Sequence, residues 1–267
     1  MATTGTKVGV FGAGGRMGTA VCAAVAAAPD LDLVAAVDPY HEGIDLEQLG
    51  VPDTGLRLAR TADALADAGA EVAVDFTVLD AARENLRWCA EHGIHAVVGT
   101  TGFSDDDLAE FRAAFAAAGT NAVIVPNFAI GAVLMMRFAE MAAPYFETAE
   151  VIELHHDEKI DAPSGTAMLT AQRMADASGE WAADPTKKTI AEGARGGSGP
   201  GGIRIHSVRL RGIVAHQEVL LGTTGQSLSI RHDSYDRTSF MPGVLLAVRA
   251  IPSRPGLTIG LDALLDA

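Results

Sequence analysis

Short apolar runs alternate with helical patterns over the first half of the chain. The runs are predicted as buried strands and lie at residues 7–11, 31–37, 72–76, 94–98 and 121–125. Helical patterns separate them, most clearly at 79–92, where Gly93 marks the end of the helix. Because strands alternate with helices, we predict an α/β fold with a doubly wound parallel sheet and helices on both of its faces.

Capping residues mark the start of two of these helices. Ser104 and Asp107 have the spacing of an N-cap residue and its N3 acid, and predict a helix that ends near Ala118. Thr61 is predicted to cap a shorter helix that ends near Ala68. Both helices lie between predicted strands and therefore fit the alternating pattern.

The pattern changes after Gly131. A long helix is predicted at 132–146, a strand at 149–154 and a helix at about 165–177. Three strand patterns then follow one another without an intervening helix, at 203–209, 213–221 and 228–232. Successive strands favour a mixed or antiparallel sheet, so we predict a second, α+β domain.

The connection at residues 178–202 is predicted as a long surface loop. It holds six glycines between Gly193 and Gly202. No strand leads into it, so we interpret it as a mobile segment and not as a phosphate-binding loop. His206, His216 and His232 lie in the strands that follow, and their spacing fits no metal site, so we interpret them as hydrogen-bonded strand residues.

Composition excludes several classes of protein. The net charge of the 267 residues is −14, whereas a nucleic-acid partner requires a basic face, so an anionic ligand needs a locally positive pocket. Cys22 and Cys89 are interpreted as core residues without a disulfide. The apolar stretch at 20–28 is too short to cross a membrane, and no signal-peptide pattern precedes the first strand. We therefore expect a cytoplasmic protein without a membrane partner.

A glycine-rich turn follows the first strand, and the second strand ends on Asp38. Strand, turn, helix, strand and acid are the parts of a Rossmann-type dinucleotide-binding unit, although a purely structural turn is the alternative. Met17 occupies the third glycine position of G-x-G-x-x-G, and the turn instead has the spacing G-x-x-G-x-x-G through Gly18. The candidate cofactor-binding residues of the turn are Gly12, Ala13, Gly14, Gly15, Arg16 and Met17.

Asp38 is the residue expected to select the cofactor. Its carboxylate can accept hydrogen bonds from the adenosine ribose hydroxyls and would repel a 2′-phosphate. Pro39 follows where an arginine could have bound that phosphate, and Arg16 is the one cation near the turn. We therefore expect NADH or NADPH as cofactor, with NADH at least as good. A solvated acid at a strand end is the alternative.

Three later strands end in small, hydroxyl or aromatic residues. Ligands of doubly wound sheets lie beyond the carboxyl ends of the strands. Loops without a ligand have a similar composition, so each of these strand ends is ambiguous when taken alone. The candidate nicotinamide-side residues are Phe76, Thr77, Gly99, Thr100, Thr101, Pro126, Asn127 and Phe128.

The most informative stretch is at residues 153–167. His155 and His156 are adjacent, Lys159 follows three residues later, and Ser164 and Gly165 open the next helical pattern. A helix N-terminus attracts anions, and a glycine there allows close approach to the backbone. The combination predicts a site for a small anionic molecule that must be protonated. A solvated loop before a capped helix is the alternative.

This stretch closely resembles the signature E-x-H-H-x-x-K-x-D-A-P-S-G-T-A of the 4-hydroxy-tetrahydrodipicolinate (dihydrodipicolinate) reductase family, and every fixed position has its counterpart. The turn GxxGRMG and the strand ends DFT, GTTG and PNFxxG also resemble that family. The resemblance implies NAD(P)H-dependent reduction of 4-hydroxy-tetrahydrodipicolinate to tetrahydrodipicolinate in diaminopimelate and lysine biosynthesis.

The resemblance also implies roles and an assembly. His155 would be the proton donor, and Lys159 a second donor that also binds substrate carboxylate. His156, Ser164, Gly165 and Thr166 would bind the two carboxylates of the substrate. Residues 1–127, rejoined by 241–267, would form the dinucleotide-binding domain, and 128–240 the substrate-binding and tetramerisation domain of a homotetramer.

Two other functions fit parts of the pattern. A Rossmann dehydrogenase for another small anionic substrate would keep the glycine turn but has no need of the whole signature. A non-catalytic dinucleotide sensor should lack the proton donor or the lysine, whereas His155 and Lys159 are both present.

Overall fold

The computed structural model describes residues 5–265, and these divide into two compact units. The first unit comprises 5–128 together with 240–265, and the second comprises Ala129–Ser239. The strands are β1 Thr6–Phe11, β2 Leu31–Val37, β3 Val72–Asp75, β4 His95–Val98, β5 Ala122–Ile124, β6 Thr148–His155, β7 Gly197–Ser198, β8 Arg204–Arg209, β9 Ala215–Thr223, β10 Gln226–Ser234 and β11 Leu257–Ile259.

The helices match the predicted pattern closely. They are α1 Arg16–Ala27, α2 Asp63–Asp67, α3 Leu79–Glu91, α4 Asp105–Ala118, α5 Ile130–Ala142, α6 Gly165–Ala177, α7 Met241–Ala250 and α8 Asp262–Leu265. Short 3₁₀ segments lie at Leu46–Leu49, Ala143–Tyr145, Pro200–Gly202, Arg237–Phe240 and Ile251–Ser253. Within residues 5–265, no helix is long and apolar enough to cross a membrane.

The first unit is built on a six-stranded parallel sheet in the order β11-β5-β4-β3-β1-β2. All four residues of β3 are buried, as expected for a strand covered by helices on both faces. The strand order reverses at β1, and therefore the carboxyl ends of β1 and β3 flank the usual ligand crevice of this architecture. The predicted Rossmann-type fold is confirmed.

The last part of the chain belongs to the first unit. The Asn121 side chain donates to the carbonyl of Ile251 at 2.9 Å and accepts from the amide of Gly256 at 3.0 Å. Arg249 of α7 forms a two-bond ion pair with Asp30, at 2.7 and 2.8 Å. The two Asn121 contacts position β11, which the sequence pattern did not predict, beside β5.

The second unit contains a five-stranded mixed sheet in the order β10-β9-β6-β8-β7. The central strand β6 is parallel to β8 and antiparallel to β9. Inward-facing Val151, Ile205 and Val219 are fully or almost fully buried in this sheet, and Met174 of α6 is buried as well. The predicted second domain with a mixed sheet is confirmed.

Local predictions had different outcomes. The capping box of α4 is confirmed, because Ser104 Oγ accepts from Asp107 N while the Asp107 carboxylate accepts from Ser104 N. The prediction for Thr61 is wrong: Ala62 is the N-cap of α2, and the helix start has no side-chain cap.

The segment 178–202 is not wholly irregular, since it contains β7 and a 3₁₀ turn. Cys22 and Cys89 are buried free thiols.

Candidate active site

The glycine turn joins β1 to α1 in a compact loop. Gly12 has a φ of 67°, which glycine adopts without strain. Ala13 N donates to Val37 O at 3.1 Å, and Gly15 N donates to Gly12 O at 3.0 Å. Gly15 is the N-cap of α1, but no side chain accepts a hydrogen bond from the first amides of the helix. These amides can therefore donate to a ligand. A turn of glycine and alanine before such a helix start fits a dinucleotide pyrophosphate.

Asp38, at the end of β2, lies against this turn. Its side chain is almost buried and accepts from Gly14 N and Tyr40 N, each at 3.0 Å. His41 Nδ1 lies 3.0 Å from the same carboxylate, a contact that the sequence pattern did not suggest. Asp38 therefore does more than face solvent at a strand end: it ties the second strand to the glycine turn.

Asp75 organises the loop after β3. Its buried carboxylate accepts from Thr77 N at 2.8 Å, Thr77 Oγ1 at 2.7 Å and Asn85 Nδ2 at 2.7 Å. Burial raises the pKa of Asp75, against the effect of these hydrogen bonds. Thr100 Oγ1 donates to Thr77 O at 2.8 Å, and Gly99 N donates to Asp75 O at 2.8 Å. The ends of β3 and β4 are thus linked directly.

Aromatic packing brings in the third strand end. The rings of Phe76 and Phe128 lie 5.4 Å apart. A methyl group at Gly99 would lie 2.2 Å from the Phe76 ring, so only glycine fits there. At Gly12, the same construction places a carbon 3.0 Å from Thr77 Cγ2. The candidate cofactor residues of all four loops are therefore neighbours, with Thr101 and Pro126 exposed and Asn127 half-buried.

In the second unit, β6 carries a fully buried acid, Glu153, two residues before His155. Arg209 Nη1 and Nη2 donate to its two carboxylate oxygens at 2.9 and 2.8 Å. His155 Nδ1 lies 2.5 Å from Glu153 Oε2. Burial alone would raise the pKa of Glu153, but hydrogen bonds, first from Arg209, outweigh it and lower the pKa below its usual value.

His155 is half-buried at the end of β6. Burial lowers the pKa of its imidazole below the usual value, and the hydrogen bond with Glu153 opposes that shift. Lys159 Nζ donates to Asp161 at 2.7 Å, which lowers the pKa of that carboxyl group. His156 is exposed in the turn before Lys159, whose amide donates to the His156 carbonyl at 3.2 Å.

Helix α6 begins beside this cluster. Ser164 is its N-cap: its Oγ accepts from Ala167 N at 3.2 Å, and its own amide donates to Glu153 at 3.3 Å. The helix start predicted at Ser164 and Gly165 is confirmed. Gly165 is exposed, and no heavy atom lies within 4 Å of a carbon added at its Cβ position. The space above Gly165 can therefore admit a ligand next to the helix N-terminus.

Sequence reasoning missed the residues that hold these groups in place. Glu153 is a polar residue inside a predicted strand, and that alone is a signal of a buried partner. Arg209 gave no comparable signal, because its partner Glu153 is distant in sequence. Asp75 and His41 have partners within ten residues, but the sequence pattern did not single out these pairs. Among the described residues, 5–265, no cluster of histidine, cysteine or acidic side chains could bind a metal ion.

The parallel sheet, the glycine turn and the acid at the end of β2 are typical of pyridine-nucleotide-dependent oxidoreductases. Two family models match, "Dihydrodipicolinate reductase, N-terminus" over residues 6–128 and "Dihydrodipicolinate reductase, C-terminus" over residues 131–265. The chain belongs to the dihydrodipicolinate reductase family.

Individual relatives agree with this assignment. The chain is 54% identical over 264 residues to a 4-hydroxy-tetrahydrodipicolinate reductase of Nocardia farcinica, covering 97% of this chain and 98% of the relative. It is 50% identical to that of Streptomyces coelicolor, with the same coverage. The dipicolinate-bound dihydrodipicolinate reductase of Paenisporosarcina sp. TG-14 has a TM-score of 0.85, 38% identity and coverages of 97% and 99%. An amine dehydrogenase of Mycobacterium smegmatis shares the fold alone. It has a TM-score of 0.65 and 15% identity, covering 96% of this chain and 95% of the dehydrogenase.

Proposed function

We propose that the chain catalyses NAD(P)H-dependent reduction of 4-hydroxy-tetrahydrodipicolinate to tetrahydrodipicolinate, a step in diaminopimelate and lysine biosynthesis. The observation that carries the proposal is the cluster around Glu153, which places an ionisable imidazole, His155, next to the N-terminus of α6. A dicarboxylate that is to be reduced and protonated requires a proton donor and an anion-binding site.

We propose that the first unit, assigned from the sequence to 1–127 with 241–267, binds the cofactor. The reduced nicotinamide supplies the hydride when it is bound. The turn and α1 would bind the pyrophosphate, Asp38 the adenosine ribose, and the linked ends of β3, β4 and β5 the nicotinamide. The proposed residues are Gly12, Ala13, Gly14, Gly15, Arg16, Met17, Asp38, Phe76, Thr77, Gly99, Thr100, Thr101, Pro126, Asn127 and Phe128.

We propose that the second unit, assigned from the sequence to 128–240, binds the substrate. His155 donates the proton that neutralises the charge left by hydride addition, and Lys159 acts as a second donor and carboxylate contact. His156, Ser164, Gly165 and Thr166 complete the carboxylate site. Burial lowers the pKa of His155, whereas a bound dianion favours the imidazolium, so substrate binding would itself charge the donor.

The test is ligand binding followed by turnover. Thermal denaturation is measured with NADH or NADPH, each with and without pyridine-2,6-dicarboxylate, a planar diacid that resembles the substrate ring. We expect each cofactor to raise Tm and the diacid to raise it further, because a ligand at 100 times its Kd contributes about 2.7 kcal/mol. Nicotinamide oxidation is then followed with substrate made in place by the upstream synthase. Binding without turnover would indicate a sensor and contradict the proposal.

Gly165→Ala gives a matched variant for the carboxylate site. Apart from its chain neighbours and the backbone of its own helix, the added methyl group has no heavy atom within 4 Å, and in the middle of a helix alanine is more stable than glycine by about 0.5–1 kcal/mol. We therefore expect unchanged or higher Tm without ligand and an unchanged shift with NADH, but a smaller shift with the diacid. A full diacid shift in this variant would place the carboxylates elsewhere.

Asp38→Asn tests cofactor selection. Asparagine keeps an oxygen that can accept from the Gly14 amide but removes the charge that repels a 2′-phosphate. In fluorescence titrations, we expect the ratio of the Kd for NADPH to the Kd for NADH to fall by up to tenfold, roughly 1.4 kcal/mol. Asp38→Ala should instead weaken NADH more than NADPH, because it removes the ribose acceptor. A wild-type protein that binds NADPH more than tenfold tighter than NADH would contradict this role of Asp38.

We also propose a homotetramer formed through the second unit, and a cytoplasmic location. The buried free thiols Cys22 and Cys89 fit a reducing compartment. Sedimentation equilibrium tests the assembly, and a monomeric mass at micromolar concentration would contradict it.

A further inference from the structure

Glu153 receives more hydrogen bonds than its place in a strand requires. The side chain has no exposed surface, yet it accepts from Arg209, from His155 and from the Ser164 amide. These donors come from β8, from the end of β6 and from the N-cap of α6. An isolated buried carboxylate would be strongly destabilising, so this acid is retained together with a matched set of partners.

We propose that Glu153 and Arg209 are positioning residues that fix which ring nitrogen of His155 presents a proton to the substrate. This proposal deepens the proposed function and rests on it, because it gives a task to two residues only if His155 is the donor. Neither residue needs to touch the substrate: both act through the imidazole, the loop and the start of α6.

The tautomer follows from the chemistry of the carboxylate. An ionised carboxylate can only accept hydrogen bonds. Glu153 is held in that form, since its pKa lies below the usual value. The nitrogen 2.5 Å away, His155 Nδ1, must therefore carry a hydrogen in both the neutral and the charged ring. The proton that His155 gains and loses is then the one on Nε2, on the opposite side of the ring.

Arg209 fixes Glu153 and the loop at the same time. Its two terminal nitrogens bind both carboxylate oxygens, and Nη2 also donates to the Asp161 carbonyl at 2.7 Å. Asp161 in turn accepts from Lys159. One guanidinium therefore holds the orienting acid of the first proposed donor and the loop that carries the second.

The charges that face His155 set the direction of the expected pH effect. Glu153 favours the imidazolium, whereas Lys159 and Arg209 disfavour it. Glu153→Gln removes the favourable charge, so the pKa of His155 falls. A general acid must be protonated, so kcat falls as the pH rises past the pKa of that acid. In Glu153→Gln, this alkaline limb of the plot of kcat against pH should therefore move to lower pH. We expect a shift of about one pH unit, and a kcat roughly 10- to 100-fold lower at neutral pH, a smaller loss than removal of the donor itself.

A second variant separates positioning from folding. Glu153→Gln alone leaves the Arg209 charge without its buried partner, which destabilises a protein. The double variant Glu153→Gln/Arg209→Met removes both charges and is expected to recover thermal stability. We expect it to keep a low kcat and an alkaline limb below the wild-type position, although loss of the Arg209 charge reverses part of the shift, with an unchanged KM for NADH.

The outcomes distinguish the possible failures. A kcat that returns to the wild-type value in the double variant, or a limb that does not move in either variant, would overturn the positioning role. Nitrogen-15 histidine spectra of the ligand-free protein give a readout independent of turnover: we expect neutral His155 to carry its hydrogen on Nδ1, and a hydrogen on Nε2 would overturn the proposal. If His155→Gln retains the wild-type alkaline limb, the proposed donor itself is wrong, and the positioning role falls with it.

Discussion

We expect replacement of His155 by glutamine to lower kcat by about 10²–10⁴-fold, the usual effect of losing a general acid, and to change KM little. Glutamine reaches a similar distance and can still form a hydrogen bond with Glu153, but it has no proton to transfer near neutral pH. The alkaline limb of the kcat profile should disappear as well. Lys159→Ala should lower kcat and raise KM together, because it removes a donor and a carboxylate contact.

His206 provides the matched control. It also lies in a strand and also pairs with a glutamate, Glu150, with Nε2 2.7 Å from the carboxylate. It belongs to β8 and to none of the proposed site residues. We expect His206→Gln to retain near-wild-type kcat. Near-normal turnover in both His155→Gln and Lys159→Ala would mean that the proton comes from another group and that the cluster only binds.

We expect Gly18→Ala to abolish measurable NADH binding and to destabilise the first unit. A Cβ at this position would lie 2.0 Å from Gly12 O, 2.6 Å from Gly12 C and 2.8 Å from Ala13 Cα. These are backbone atoms, so no side chain can move aside, and α1 must shift away from the glycine turn. Overpacking of this kind costs typically about 1–3 kcal/mol in stability. The amides that would bind the pyrophosphate move with the helix.

Gly179→Ala is the control for the general cost of adding a methyl group. No atom lies within 4 Å of its Cβ position, and no role in binding is proposed for it. Fluorescence titration with NADH and thermal denaturation compare the two variants. An NADH affinity within tenfold of wild type in Gly18→Ala would show that the turn tolerates the displacement and that our description of it is wrong.

Features with short sequence spacing could be predicted, and features formed by distant residues could not. The glycine turn, the capping box of Ser104 and the cap at Ser164 are each encoded within about a dozen residues. The partner of Glu153 is Arg209, 56 residues away, and nothing in the local pattern near Arg209 distinguishes it from a solvated strand arginine. The signature locates the proposed proton donors His155 and Lys159, but only the fold shows that Glu153 and Arg209 hold them in position.

Strand β11 was missed for a related reason. Its three residues are too few for a periodic pattern, and Pro255 and Gly256 immediately before it are typical of a turn. It becomes a strand because β5 offers a free edge and because Asn121 binds the backbone on both sides of the preceding turn. Tertiary pairing, not local propensity, determines this element.

The position of β11 also sets an order of assembly on the ribosome. Strands β1 to β5 emerge first, but their sheet keeps an open edge at β5 until residues 257–259 have been made. All of Ala129–Ser239 is synthesised in between. A chain that stops before residue 257 therefore leaves β5 as the edge strand, and this unpaired edge favours aggregation however well the earlier residues have folded. The six-stranded sheet is complete only in chains that include residues 257–259, so shorter products are expected to aggregate more readily.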